Sequence, residues 1–278
     1  MVRVSGDVGK DVSTGNAKSA TWDVMQDGDS LQLDSGCFRV AAVGGSNKQT
    51  FNVEDVRFTM IFVEGGTFTM GCTSEQGDDC WDDEKPAHKV TLSDYYIGET
   101  EVTQELWTAV MDDNPSYFKG DNLPVEKVSY DDVQTFISRL NQKTFRTFRM
   151  PTEAEWEYAA RGGKKSRGYK YSGSNTIGDV AWYDGNSGSR THPVKQKQAN
   201  ELGIYDMCGN VWEWCSDWKG DYGGDSQTNP TGPYAGSGRV RRGGSWGSKA
   251  WICRVSNRNY YFPSYRDNYF GFRLALIP

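Results

Sequence analysis

What most limits the fold of this chain is where its helical periodicity stops. Three segments before Gly163 carry apolar residues at helical spacing, and from there to Pro278 none does. The second half is instead rich in Gly, Asn, Ser, Trp and Tyr, so loops and short strands must dominate it. No period of self-similarity runs along the chain, which excludes a repeat array.

The three helical segments carry their own boundary signals. "TQELWTAVM" (Thr103 to Met111) sets Leu106, Trp107 and Val110 on one face behind a Thr cap, and "SYDDVQTFISRL" (Ser129 to Leu140) does so with Val133, Phe136, Ile137 and Leu140 behind Ser129. "PTEAEWEYAARGG" (Pro151 to Gly163) offers a Thr152 to Glu155 capping box, an acidic first turn and a glycine stop. Ahead of them, "FTMIFVEGGTFTMG" reads as a hairpin turning at Gly65 and Gly66, so a second domain is expected over 58–278. Residues 1–57, with runs such as "SLQLDSGCFRVAAV", read as a small β-rich N-terminal unit. Lys219 to Gly238 has the composition of an extended surface loop.

Charge narrows the partners. The formal net charge is −6 and basic residues form no run longer than pairs such as Lys164-Lys165, which argues against nucleic acid and polybasic membrane docking. No stretch reaches the ~20 apolar residues of a membrane-spanning helix, and the N-terminus lacks a signal-peptide core. Six cysteines fit no zinc-type CxxC pair. Cys72 and Cys80 could close a local bridge across "CTSEQGDDC", and Cys215 and Cys253 a second; buried thiols are the alternative. There is no G-x-S-x-G elbow and no GxxxxGK[ST] phosphate loop. The two histidines, His88 and His192, sit in loop-like stretches and read as exposed or hydrogen-bonding residues rather than as an iron site.

Four pieces occur in fixed order: "GGTFTMG" with "DEKPAHKVTLSDYYIGETEVTQELW", then "RMPTEAEWEYAARGG", "GIYDMCGNVWEW", and "RRGGSW" leading to "GFRL". Together they resemble the formylglycine-generating enzyme and sulfatase-modifying-factor family. The resemblance, over about 58–278, implies an α+β, C-type lectin-like fold with two or three helices, irregular antiparallel sheets and many loops. In that family the oxidases hold copper on a cysteine pair after the GGS-aromatic turn. Here the second position is Cys253 and the first is Ser248, so the two-thiolate site that Cu(I) prefers is incomplete and no copper is expected. The same resemblance implies calcium on Asp206, Glu213 and the carbonyls of Gly209 and Val211. On the residues alone, a tight turn into a buried aromatic strand with Glu213 bonded to backbone fits as well. A calcium-dependent sugar-binding lectin and a formylglycine-type oxidase are the alternative functions.

The window "SNRNYYFPSYRDNYF" (Ser256 to Phe270) is unlike a core strand. It is dominated by Tyr, Asn, Asp, Ser and Phe, the residues paratopes favour, and its residues from Asn257 can be reached by changing adenines of an Asn codon. Lys, Glu, Gln, Met and Trp cannot arise that way and are absent from it. Placed between "RRGGSW" and "GFRL", it resembles the variable region, here about 247–270, of proteins diversified by retroelements, the treponemal ones in particular. The resemblance implies a non-enzymatic, receptor-type binder at the cell surface or outside the cell, taking an unidentified protein or other surface ligand. Its oligomeric state stays open, a monomer included. Gly247, Ser248, Ile252, Tyr260, Tyr261, Phe262, Ser264, Tyr265, Asp267 and Tyr269 are the implied variable, ligand-binding positions; Lys249 and Trp251 read as scaffold.

Overall fold

The computed structural model describes Val4–Gly6, Ala20–Trp22 and residues 47–278, and the chain divides into two units, Met1–Asn47 and Lys48–Pro278. In the first, β1 (Val4–Gly6) and β2 (Ala20–Trp22) pair antiparallel. The "SLQLDSGCFRVAAV" run lies outside the described residues.

The second unit starts at Lys48, not at Phe58. The reason is local: β3 (Lys48–Val53) is the hairpin partner of β4 (Val56–Val63), with Phe51 opposite Phe58 and Glu54 turning the chain at a φ of 53°. The hairpin expected at Gly65 and Gly66 is absent as well. β5 (Gly66–Met70) pairs with β6 (His88–Leu92), whereas β4 pairs with β3 and with β7 (Tyr95–Gly98), so the two glycines carry the chain from one sheet to another. Close approach explains them, since a Cβ on Gly65 would lie 2.4 Å from the Leu92 carbonyl oxygen.

The helix signals hold. Thr103 caps α1 (Gln104–Met111) by accepting from the Leu106 amide; Ser129 and Asp132 form a capping box on α2 (Tyr130–Thr144). After β8 (Phe148–Arg149), Thr152 and Glu155 form another on α3 (Glu153–Ala160). The faces selected by periodicity on α1 and α2 are buried, and Trp107 stacks on Phe136 with ring centroids 5.1 Å apart. Each such side chain contributes about 1.5–3 kcal/mol by leaving water.

Helix α3 departs from expectation: all 8 of its residues are buried, Glu153, Glu155 and Glu157 included. Beyond it come β9 (Ala181–Trp182), β10 (Cys208–Gly209), β11 (Trp212–Trp218), β12 (Gln227–Thr228), β13 (Arg239–Arg242), β14 (Arg258–Tyr261), β15 (Phe270–Gly271) and β16 (Ala275–Leu276), with only short helical turns between them. They complete a five-stranded sheet (β3-β4-β7-β16-β8), a four-stranded one (β14-β13-β11-β15), a three-stranded one (β12-β6-β5) and the β9-β10 pair. One core packs α1 and α2 against the five-stranded sheet with Trp212 and Trp214; the other surrounds α3.

Cys72 and Cys80 are joined in a disulfide. The second bridge does not form, because Cys215 and Cys253 are separate buried thiols. Among the described residues no helix is long and apolar enough to cross a membrane.

Candidate binding surface

The four-stranded sheet positions the C-terminal aromatic window. Strand β13 alternates: Val240 and Arg242 are buried, while Arg239 and Arg241 lie on the opposite side, partly exposed. Arg242 pairs with Glu157 of α3 and donates to the carbonyls of Val255, Ser256 and Asn257. Arg254 makes a two-pronged pair with Glu84, at 2.6 and 2.8 Å, and donates to the Asp79 carbonyl. Arg258 pairs with Glu153 through two nitrogens. Burial works against the Arg258 charge, yet Glu153, with Tyr222 and Asp83, raises its pKa above the usual guanidinium value. Residues 253–258 are thus buried and tied by charge to α3 and to the turn at 82–84.

From Asn259 the chain comes out. Tyr260 is 47% exposed, Phe262 63% and Tyr265 37%. Ser264 and Gly247 are exposed, and Ile252, Tyr261, Asp267 and Tyr269 are partly so. The partly buried rings have defined neighbours. Tyr261 lies 4.1 Å from Tyr265 and 5.7 Å from Phe270, and Tyr269 stacks on Trp246 at 4.5 Å, with Phe118 edge-on to Trp246. Gly247 is coupled to this stack, since a Cβ there would lie 2.7 Å from a ring carbon of Tyr269. Asp267 accepts from the Tyr265 hydroxyl at 3.0 Å, and its carbonyl takes the Lys127 amide. Arg266 is held by both oxygens of Asp132 at the start of α2. Nine of the ten expected positions are therefore at least partly exposed.

Ser248 is the correction. It is only 6% exposed, and its Oγ accepts the Ser245 amide at 2.9 Å, so it closes the turn after β13 instead of facing a ligand. Trp251 packs on Trp81, as expected of scaffold. A cleft of about 840 Å³ between α2 and residues 229–231 includes none of these positions.

Of the expected ion ligands, Asp206 and Glu213 come together near one cation, Arg273. Glu213 accepts from Arg273 at 2.6 and 2.7 Å and from Trp156 Nε1 at 2.7 Å; the Asp206 Oδ2 accepts the Lys195 amide at 2.8 Å. Glu101, unremarked in the sequence, completes the cluster by accepting from Asn210 and the Val211 amide. Three buried carboxylates thus face a single guanidinium. Burial first, then the charges of Asp206 and Glu213, push Glu101 well above the usual carboxylate range. Burial also raises Asp206 to about 6, with Glu213 adding to it and the Lys195 amide and Arg273 opposing. Glu213 Oε2 is already committed twice. Hard oxygens are the donor type calcium takes, but both Glu213 oxygens already accept from Arg273 and the three carboxylates are not arranged as a metal-holding group.

Both histidines have other partners. His88 opens β6 and bonds the Pro86 carbonyl; His192 stacks on Trp182 at 3.8 Å and bonds the Ser187 carbonyl. Among the described residues no group of three or more His, Cys, Asp or Glu is arranged to hold a metal. Burial drives the Cys253 thiol well above its ordinary pKa, which disfavours the thiolate.

A family model, the sulfatase-modifying factor enzyme 1-like domain, matches residues 46–277. The chain belongs to that family. Among its relatives, a protein named chaperone protein LppX from Paenibacillus barcinonensis is 36% identical over 268 residues, covering 78% of this chain and 89% of that protein. The formylglycine-generating enzyme of Streptomyces coelicolor is 38% identical over 173 residues, which cover 55% of this chain and about half, 52%, of the enzyme. Treponema denticola variable protein 1 matches in structure with a TM-score of 0.76 at 38% identity, covering 83% of this chain and 99% of that one. The α+β architecture, with its curled antiparallel sheets, few helices and many loops, is the C-type lectin-like fold of this family.

Proposed function

We propose that this protein is a non-enzymatic, receptor-type binding protein, displayed at a cell surface, whose face over 259–269 and Gly247 captures a ligand and is diversified by a retroelement. The carrying observation is the change at Asn259, where a chain clamped by Arg254 and Arg258 becomes a run of exposed aromatic rings. Exposed rings in such density mark a contact surface. The likeness to the treponemal variable protein supports the reading. Loss of the oxidase reaction belongs to it: Ser248, which stands where the family's first copper cysteine is expected, bonds within its turn, and Cys253 is a buried thiol. Calcium is assigned a structural role on Asp206, Glu213 and the carbonyls of Gly209 and Val211, where it would neutralise the carboxylate excess beside Arg273.

Two experiments test the proposal. Incubated with Cu(I) and a peptide bearing a sulfatase-type cysteine, the protein should return the peptide unoxidised; turnover would overturn the non-enzymatic reading. Sequencing the gene across many isolates should find replacements at Tyr260, Tyr261, Phe262, Tyr265, Asp267 and Tyr269 and none at Arg254 or Arg258. Changes spread evenly over both sets would overturn diversification.

A further inference from the structure

The arginines from 242 to 273 each have a carboxylate: Arg242 with Glu157, Arg254 with Glu84, Arg258 with Glu153, Arg266 with Asp132 and Arg273 with Glu213. Arg241 has none within salt-bridge distance among the described residues. Its guanidinium lies over three rings, Phe270 at 4.4 Å, Trp212 at 4.6 Å and Tyr261 at 5.4 Å. Its Nε lacks a hydrogen-bond partner, and its bond from Nη2 to Asn259 Oδ1 is long, at 3.4 Å. Burial lowers its pKa to about 10, against the influence of Tyr261, Asp267 and Tyr265. A partly buried guanidinium with no carboxylate partner and one buried donor unmet is costly unless something completes it. Tyr261, Tyr265 and Asp267 are all variable positions in the proposed surface, so the unpaired charge lies at the base of that surface.

We infer that Arg241 is a fixed anchor for a carboxylate on the ligand, an acidic side chain or chain terminus of a bound polypeptide, around which the variable aromatics supply selectivity. A guanidinium stacked on flat rings keeps its N–H donors in its own plane, and a pair of parallel donors matches the planar carboxylate of an acidic residue or chain terminus. Asp267 tunes the anchor, because its negative charge competes with an incoming anion.

The inference rests on the binding reading above, but the two fail separately, since the test uses a small probe and not the natural ligand. Benzoate is titrated into the full-length protein while NMR follows the Arg241 side chain and the Tyr261 and Tyr265 rings. Saturable shifts that weaken with added salt are expected. Arg241→Met should weaken benzoate by roughly tenfold, the loss of one charged hydrogen-bonding partner. Asp267→Asn, which leaves the anchor in place, should strengthen it. Benzamide binding as well as benzoate would reduce the site to an apolar surface and overturn the inference. So would inorganic phosphate binding as tightly, or benzoate binding unchanged in Arg241→Met with its melting temperature intact. Should Arg241→Met fail to fold, Asp267→Asn decides alone: unchanged or weaker benzoate binding overturns the inference.

Discussion

Residues 253–258 and residues 259–269 are adjacent in sequence and opposite in physics. In the first stretch every residue is buried and both arginines are matched to carboxylates; in the second, rings of similar bulk stand partly or wholly in water. The difference teaches where a changeable surface can sit. Under the proposed function its sequence is free to vary, since its position is set by the buried charge pairs behind it. Breaking a pair in the base should therefore cost far more than rewriting the rim.

The largest effect is expected at Arg258. Replacing it with Met leaves Glu153 buried without its main partner, and breaking such a pair costs about 3–5 kcal/mol. Chemical denaturation of Arg258→Met should register that loss; a cost near zero would mean the base is held by packing alone.

Calcium sharpens the same contrast, since the base is not balanced everywhere. Beside Arg273, Glu101, Asp206 and Glu213 outnumber the cation. A ligand binding only the folded state stabilises it by about 2.7 kcal/mol at a hundred times its Kd. The metal-free protein should melt higher with calcium, and Asp206→Asn should remove the gain. Superimposable melts would return the cluster to a purely structural role.

An effect on the order of 4 kcal/mol, spread over the pH range, is expected at Asp217. Burial, with the Glu153 charge behind it, lifts its folded pKa to about 7. The unfolded chain gives up this proton near pH 4, so the contribution to stability is complete below that pH and is lost as pH rises through 7. Asp217→Asn, whose amide oxygen can still accept the Glu153 amide, should therefore gain on the wild type progressively from pH 4 to 8. A gap that is constant across that range would place Asp217 elsewhere in the charge balance.

How much of this was legible follows the range of each interaction. Caps and helical faces are local, so Thr103, Ser129 and Thr152 announce α1, α2 and α3 correctly. The burial of α3 is not local. Glu153, Glu155 and Glu157 read as an acidic turn; Arg258 and Arg242 reach Glu153 and Glu157 from distant parts of the chain, while Arg149 pairs with Glu155 from just before the helix. The glycines at 65 and 66 read as a hairpin because turn chemistry does not say which sheet the next strand joins. Likewise Cys72 and Cys80 are neighbours along the chain, whereas pairing Cys215 with Cys253 needed a distance no sequence contains. Of the window, composition pointed to residues that are exposed, but Ser248 folds inward, and Arg241, half of a plain "RR", carries no sign that its neighbour takes the carboxylate.

The smallest effect on stability should come from the most conspicuous side chains. Tyr260, Phe262 and Tyr265 are the exposed rings of the rim, and exposed positions usually change stability by less than about 0.5 kcal/mol each. Tyr261 and Tyr269 are left out because each leans on the core, through Phe270 and Trp246, and truncation there would blur the reading. Changing all three exposed rings to Ser should leave the denaturation midpoint close to wild type. Peptides selected from a displayed library on the wild-type protein should nevertheless lose their binding to the triple variant, because clustered aromatic anchors carry most of an interface's energy. An unfolded triple variant would make the rim part of the core and erase the boundary at Asn259. A folded variant that keeps its peptides would move the binding surface elsewhere.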